Sequence, residues 1–180
     1  KYIEKNDRVL EIGSCTGFLS TFASKIITSE NVLAIEANPR MINVINSLKK
    51  LNSVSFKVLN CIVSKRKEVD FYINKEIHSS SIEKRISSKN KVKIKCVTLE
   101  EIYKKFKYNF LLLDIEGNEY ELLLNNKWPS KLNKILIEFH GIRKHSGLQD
   151  NFYNEVSKKL SKNKFVEIAS EGRVKFFQKK

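Results

Sequence analysis

Leu10-Glu11-Ile12-Gly13-Ser14-Cys15-Thr16-Gly17 is the stretch that decides the fold. Ahead of the glycines, residues 8–12 form a short run rich in branched apolar side chains, which predicts a strand ending at Gly13. Behind them, Phe18, Leu19, Phe22, Ala23 and Ile26 recur at helical spacing, which predicts a helix over 18–27. Two glycines between a strand and a helix let the backbone turn sharply and approach a ligand where a Cβ would collide. An ordinary strand-to-helix turn is the plainer reading of the pair, so the surrounding residues have to separate the two.

Outward from this turn the pattern alternates between short strand-like runs and longer helical stretches, as in a parallel sheet with helices on its faces. A second buried strand is predicted over 32–36. A helix then opens at Pro39, whose missing N–H does no harm in a first turn, and buries Met41, Ile42, Ile45 and Leu48. A third strand is predicted over 54–59. Two extra strand-like runs, 69–73 and 92–98, flank a polar Ser-rich loop at 78–81, and 99–106 reads as a short helix. The most apolar strand, 110–115, ends on acidic residues and leads into a helix over 119–124. A further strand over 134–139 runs into His140-Gly141. Residues 149–160 read as a helix, and 165–168 with 174–177 as a closing hairpin. No repeat, low-complexity linker or domain boundary interrupts the 180 residues, and they are read as one domain. The chain opens at Lys1 without a methionine, a few residues before the first strand, and the expectation is that an N-terminal segment is lacking.

A hydrophobic share of 41% with 30% charged residues is that of a globular protein rather than a disordered one. No apolar run approaches the roughly 20 residues of a membrane span, so membrane insertion is not expected. Cys15, Cys61 and Cys96 are odd in number, far apart and form no CxxC pair. They read as reduced thiols of a cytoplasmic protein rather than a disulfide framework or zinc site. The net charge of +14 raises the question of nucleic acid, but the basic residues are scattered in short runs, and a solvated surface is favoured.

The glycine spacing is G-x-x-x-G, not the G-x-G-x-x-G that packs a pyrophosphate on a helix N-terminus, and the lysine of a phosphate loop is absent. Glu11 lies just upstream of the turn. A carboxylate there repels a pyrophosphate but favours a cofactor carrying ammonium and sulfonium charges. S-adenosylmethionine has both charges and no phosphate. Glu36, about twenty residues on at the end of the second strand, is placed to accept both ribose hydroxyls. Asn60 and Cys61, at the end of the third strand, are candidates to contact the adenine, with a plain strand-end turn as the alternative. Asp114 and Glu116 stand where the fourth strand of the alternation ends, near the same ligand edge.

Phe110-Leu-Leu-Leu-Asp114-Ile-Glu116-Gly117-Asn118-Glu119 resembles the D-x-E-G-x-E motif of FkbM-type methyltransferases. So do 11–17, Glu36-Ala37-Asn38-Pro39, the Ser79-Ser80-Ser81 loop and Ile137-Glu138-Phe139-His140, in matching order from Val9 to about His140. The resemblance implies an α/β, Rossmann-like seven-stranded methyltransferase fold, mostly parallel with a C-terminal antiparallel hairpin. It also implies S-adenosylmethionine as donor and usually an oxygen acceptor. By the same match Glu11, Gly13, Gly17 and Glu36 fall on cofactor-binding positions, with Ser14, Cys15, Phe18 and Ala37 beside them, and Asp114 on the rim facing the methyl group. The sequence departs from many relatives in having Glu11-Ile-Gly13-Ser14-Cys15 where they have Asp-x-Gly-Ala-Asn.

For proton removal from a hydroxyl acceptor the first candidate is His140, which titrates near neutral pH at a strand end. Asp114 and Glu116 are the alternative bases, and Glu116 is also a candidate cap of the helix that follows. Ser80 and Ser81, with His78 nearby, are candidate acceptor contacts together with Glu116; His145 has no supporting context. Asp114, Glu116 and Glu138 offer oxygens to a hard cation, but their relative orientation is open and no metal is predicted. The expected partner is a small-molecule or glycan acceptor. A nucleic-acid (RNA) methyltransferase is the first rival, disfavoured by Asp-Ile-Glu-Gly where such enzymes carry an Asn/Asp-Pro-Pro-aromatic motif, and by an acidic rim of Asp114, Glu116 and Glu119. A non-catalytic nucleotide-binding module is the second, since fold does not dictate function.

Overall fold

The computed structural model describes residues 2–73, 90–140 and 149–180. β1 (Val9–Ile12) leads through the glycine turn into α1 (Phe18–Ile26) and then β2 (Val32–Glu36), and α2 (Pro39–Leu51) leads into β3 (Lys57–Asn60). Next come β4 (Ile62–Val63), β5 (Glu68–Ile73), β6 (Asn90–Val97), α3 (Leu99–Lys105), β7 (Phe110–Leu113), α4 (Glu119–Asn125) and β8 (Lys134–Glu138). α5 (Gln149–Lys162), β9 (Phe165–Glu171) and β10 (Val174–Lys179) complete the chain.

Seven strands form one sheet in the order β3-β2-β1-β7-β8-β10-β9. It is parallel from β3 to β8, whereas β10 runs antiparallel to both β8 and β9. The expected Rossmann-like sheet with its C-terminal hairpin is therefore present. After β3 the chain returns to the other side of β1, so the strand order switches between β1 and β7. Ligands of open α/β sheets bind at that crevice, outside the carboxyl ends of the strands. In register, Ile12 pairs with both Ile35 and Leu113, which brings Gly13, Glu36 and Asp114 to the same rim.

Both faces of the sheet's centre are covered, and β1, β2 and β7 are buried along their whole length. Leu10, Ile35, Leu111 and Ile137 pack on one face with Ile102 of α3, Leu123 of α4 and Leu160 of α5. Val9, Ala34, Phe110 and Phe176 pack on the other with Ala23 of α1 and Ile45 of α2. A buried ion pair, Lys134 to Asp7 at 3.0 Å, ties the N-terminal stretch to β8, and Tyr2 stacks on Phe176 at 4.2 Å.

Helix α1 forms where its spacing predicts, but its apolar stripe faces outward. Phe18 is 65% exposed and Phe22 49%, while Ser20, Thr21, Ala23 and Ser24 are buried. The reason lies beneath the helix: the buried Glu11 carboxylate accepts hydrogen bonds from the backbone and hydroxyl of Ser20. That contact fixes which face meets the sheet, and small side chains there permit close approach. The third strand starts later than its apolar pattern suggests, because Ser53 adopts φ +53° and residues 54–56 run into the strand as an irregular segment. The extra strands pair with each other rather than with the main sheet. β5 and β6 are antiparallel, and β4 joins β6 in a three-stranded sheet around Val69, Phe71, Ile73 and Ile94. Among the described residues, no helix is long and apolar enough to cross a membrane.

Candidate active site

The turn after β1 is held from both sides. The backbone N–H groups of Gly13 and Ser14 both donate to the carbonyl of Ile35, at 3.0 and 3.1 Å. Gly13 (φ +86°) and Gly17 (φ +80°) take left-handed conformations, and Cys15 does so without being glycine (φ +47°). A side chain on Gly17 would press on Ile45 of α2 at 3.0 Å. This tight turn brings the Cys15 backbone N–H to Glu36 Oε2 at 2.7 Å, while the Asn38 N–H reaches Oε1, also at 2.7 Å. Each Glu36 oxygen thus has one fixed donor and keeps acceptor capacity for another. Glu36 is buried, and that burial raises its pKa against the pull of these backbone donors. Asn38 in turn caps α2, its side chain accepting from Arg40, with Pro39 in the first turn as expected.

The cleft at the switch point is lined on one side by Gly13, Cys15, Glu36, Ala37 and Asn38, and on the other by Asp114, Ile115 and Glu116. Cys61, Ile62 and Phe71 form its apolar end. Of the residues expected there, Gly13, Cys15, Glu36, Ala37, Cys61, Asp114 and Glu116 line it. Glu11, Ser14, Gly17, Phe18 and Asn60 do not. Glu11 is spent beneath the turn on Ser20, and Phe18 points to solvent. Gly17 packs on α2, and Ser14 is buried with its hydroxyl lacking a hydrogen-bond partner. Asn60 donates to the carbonyls of Glu36 and Ala37, so it shapes the rim from outside. Ser80 and Ser81, like His78 and His145, lie outside the described residues.

Phe71 and Ile62 escaped the sequence reading because they belong to the small second sheet. The signal was the alternation Val69-Phe71-Ile73, which marks a buried face without saying what it faces. Asn118 and Met41 also line the cleft, and neither residue type carried a signal of its own.

Carboxylates concentrate at this cleft. Burial pushes Glu11 up to about 8, with the charges of Asp114 and Glu36 adding to it. Burial likewise pushes Asp114 up to about 6; His140 opposes the rise while Glu138, Glu116 and Glu119 reinforce it. Of these only Glu36 and Asp114, with Glu116, edge the cavity, and their carboxylates favour a cationic ligand and disfavour a phosphate. Glu11 instead lies beneath the turn and is neutral below about 8. The thiols make no such contribution, for burial raises Cys15 and pushes Cys61 up to about 11.

Beside the cleft, His140 follows β8 and sits among four carboxylates. Its Nε2 lies 3.7 Å from Asp114 Oδ1, 3.8 Å from Glu116 Oε1 and 3.7 Å from Glu138 Oε1. Its Nδ1 lies 2.8 Å from Glu119 Oε1. Asp114 and Glu138 therefore point the same way, which the sequence left open. Glu119 is fully buried and not part of an acidic rim, which corrects that expectation. Glu116 does not cap α4, whose N-cap Asn118 has no side-chain cap. The Glu119 carboxylate instead accepts the backbone N–H groups of Ile115 and Gly117 in the turn before the helix. Glu116 itself adopts φ +56°, a strained conformation for a non-glycine residue, beside Gly117 at φ +109°. Asp114, Glu119 and His140 bring ligand atoms within 4.8 Å of one another, as a metal site would require. The Glu119 oxygens, however, are already engaged by two backbone donors and the imidazole.

The methyltransferase FkbM domain matches residues 11–167 of the chain. No curated protein matches it. Among solved structures it is similar to a precorrin-6y C5,15-methyltransferase from Geobacter metallireducens, with TM-score 0.58 and 9% identity over 99% of this chain and 82% of that one. It is similar too to a Streptococcus pneumoniae protein assigned as a tRNA (m1A22) methyltransferase, in complex with S-adenosyl-L-methionine. There the TM-score is 0.56 and the identity 9%, over 99% of this chain and 68% of that one. A ribosomal protein L11 methylase from Lactobacillus delbrueckii subsp. bulgaricus gives 0.52 at 13% identity, over 96% and 70%. At these identities the likeness is one of fold.

Proposed function

The chain belongs to the FkbM methyltransferase family, and on that premise we propose that it transfers the methyl group of S-adenosylmethionine to a hydroxyl oxygen of a small molecule or sugar. The observation that carries the reading is Glu36. Its carboxylate is pinned by the backbone of Cys15 and Asn38 at the wall of a cleft that is rich in carboxylates. Such an acceptor pair suits a ribose diol, and the absence of a G-x-G-x-x-G turn suits a ligand without pyrophosphate.

The residues present fit that cofactor. Glu36 would take the ribose, Ala37, Ile62 and Phe71 would wall the adenine, and Gly13, Cys15 and Asp114 would flank the methionine end. When bound, S-adenosylmethionine supplies a methyl group on a positively charged sulfur, open to attack by an oxygen nucleophile. The chain's own residues then align the acceptor, exclude water and accept its proton. Alignment of this kind is worth about 7–11 kcal/mol of barrier where the reacting atoms are held in contact. Asp114 and Glu116 line the cleft and orient the acceptor, and His140 beside them receives the hydroxyl proton on Nε2. Ser80 and Ser81 remain acceptor contacts proposed from sequence.

A thermal-shift panel tests the reading, because a ligand that binds only the folded state stabilises it by about 2.7 kcal/mol at a hundred times its Kd. S-adenosylmethionine and S-adenosylhomocysteine should raise Tm; NAD and RNA should not. A response to NAD alone, or to none of the four, would overturn it. Tight, salt-sensitive RNA binding would move the acceptor from a small molecule to nucleic acid.

A further inference from the structure

We infer that Glu119 is a positioning residue for His140: it keeps the imidazole proton on Nδ1, so that the Nε2 lone pair faces the acceptor side of the cleft. The inference rests on the methyltransferase reading for its catalytic meaning but on geometry for its substance. Glu119 is fully buried in the first turn of α4, and the backbone N–H groups of Ile115 and Gly117 fix its carboxylate. An oxygen already accepting backbone donors can only accept from the imidazole as well, so Nδ1 must be the donor across the 2.8 Å contact. The other ring nitrogen is then the free one, and it points toward Asp114 and Glu116, both of which line the cleft.

Every charged group facing the ring among the described residues has the same sign. They are Asp114 at the end of β7, Glu116 in the following turn, Glu119 on α4 and Glu138 at the end of β8. The bond to Glu119 is the largest influence raising the His140 pKa, ahead of the opposing effect of burial and the charges of Glu119, Glu116 and Asp114. A stronger base results, and it is aimed. Free histidine prefers the opposite tautomer, so the arrangement has to be imposed by the fold. The same carboxylate thereby couples two things the site needs, since the 115–117 turn that presents Glu116 and the imidazole beside it hang on one side chain.

The test needs no acceptor. With only three histidines in the chain, long-range 1H–15N NMR assigns the His140 ring after His78→Gln and His145→Gln substitutions. The wild-type ring should carry its proton on Nδ1 when neutral and titrate above the ordinary histidine value. Glu119→Ala, which leaves Nδ1 without its acceptor, should lower that midpoint and mix the tautomers. Asp114→Asn, which removes a charge but no hydrogen bond, should lower the midpoint less and leave the tautomer intact. If Glu119→Ala does not fold, Glu119→Asp serves, because the shorter side chain withdraws from Nδ1 and should also mix the tautomers. A wild-type ring protonated on Nε2 overturns the inference. So does a Glu119→Ala ring unchanged in both respects. Calorimetry of S-adenosylmethionine on the same wild-type sample judges the methyltransferase reading separately. Failure there with the tautomer as expected removes the proposed reaction and leaves the imposed tautomer standing.

Discussion

The carbonyl oxygen of Asp114 lies 1.7 Å from the point a Cβ on Gly13 would occupy. The two strands that meet at the switch point therefore touch backbone to backbone at their carboxyl ends, and no side chain can come between them. This contact ties the glycine turn to the acidic strand end, so the two halves of the candidate site share one rigid joint.

Replacing Gly13 by Ala should break that joint. The new methyl meets backbone atoms that cannot swing away, and φ +86° is left-handed. Overpacking costs about 1–3 kcal/mol and the conformation about 1–2 kcal/mol more. Gly172→Ala, at φ +56° with nothing within 4 Å, carries only the conformational cost. Urea midpoints of the two variants should differ by more than a kcal/mol equivalent. Equal losses would show that the Asp114 approach is not rigid.

Glu36→Gln should weaken S-adenosylmethionine binding while leaving the sheet intact. The amide keeps one acceptor oxygen, so either the Cys15 or the Asn38 N–H loses its partner and a ribose hydroxyl loses a charged acceptor. Hydrogen bonds to charged groups are worth about 1.5–3 kcal/mol, which corresponds to roughly 10- to 100-fold in Kd. Titration calorimetry reads it directly, and an unchanged Kd would remove Glu36 from the binding role.

On α1 the expected ranking of substitutions is the reverse of what hydrophobicity suggests. Phe22→Ser, on the exposed stripe, should shift stability by no more than roughly 0.5–1 kcal/mol. Ala23→Leu, at a fully buried position against the sheet, should cost about 1–3 kcal/mol. Chemical denaturation of the pair settles the orientation of the helix; a larger loss for Phe22→Ser would mean that the apolar stripe is the buried one.

That reversal marks where legibility in the sequence stopped. Elements were legible because periodicity and punctuation are local: Gly13 ends a strand, Pro39 opens a helix, and 110–113 runs apolar throughout. Facing was not, since Glu11 binds Ser20 across nine residues and overrules the stripe of Phe18 and Phe22. In the site, Glu36 and Asp114 were legible as acids at strand ends. Glu119 was visible in the same motif, but only its burial and its reach to His140 distinguish it from Glu116. Phe71 was out of reach for a further reason: the strand carrying it pairs with β6 of a separate sheet, and no spacing in the sequence says where that sheet lies.

The last expectation concerns pH. Glu11 titrates at about 8 in the folded chain against an ordinary value of 4.5. Between those values the native state holds more protons than the unfolded one, so stability falls as pH rises through that window and is fullest below it. Asp114, raised from 3.8 to about 6, adds a slope of the same sign at lower pH. Glu11→Gln removes only the first slope: the amide stays neutral, and its oxygen still accepts from Ser20. The variant should thus gain on the wild type as pH climbs from about 5 to about 8, a difference that urea unfolding at the two ends measures. Because the comparison is between two chains alike in every other titrating group, parallel pH profiles could only mean that the buried carboxyl ionises as it does in water.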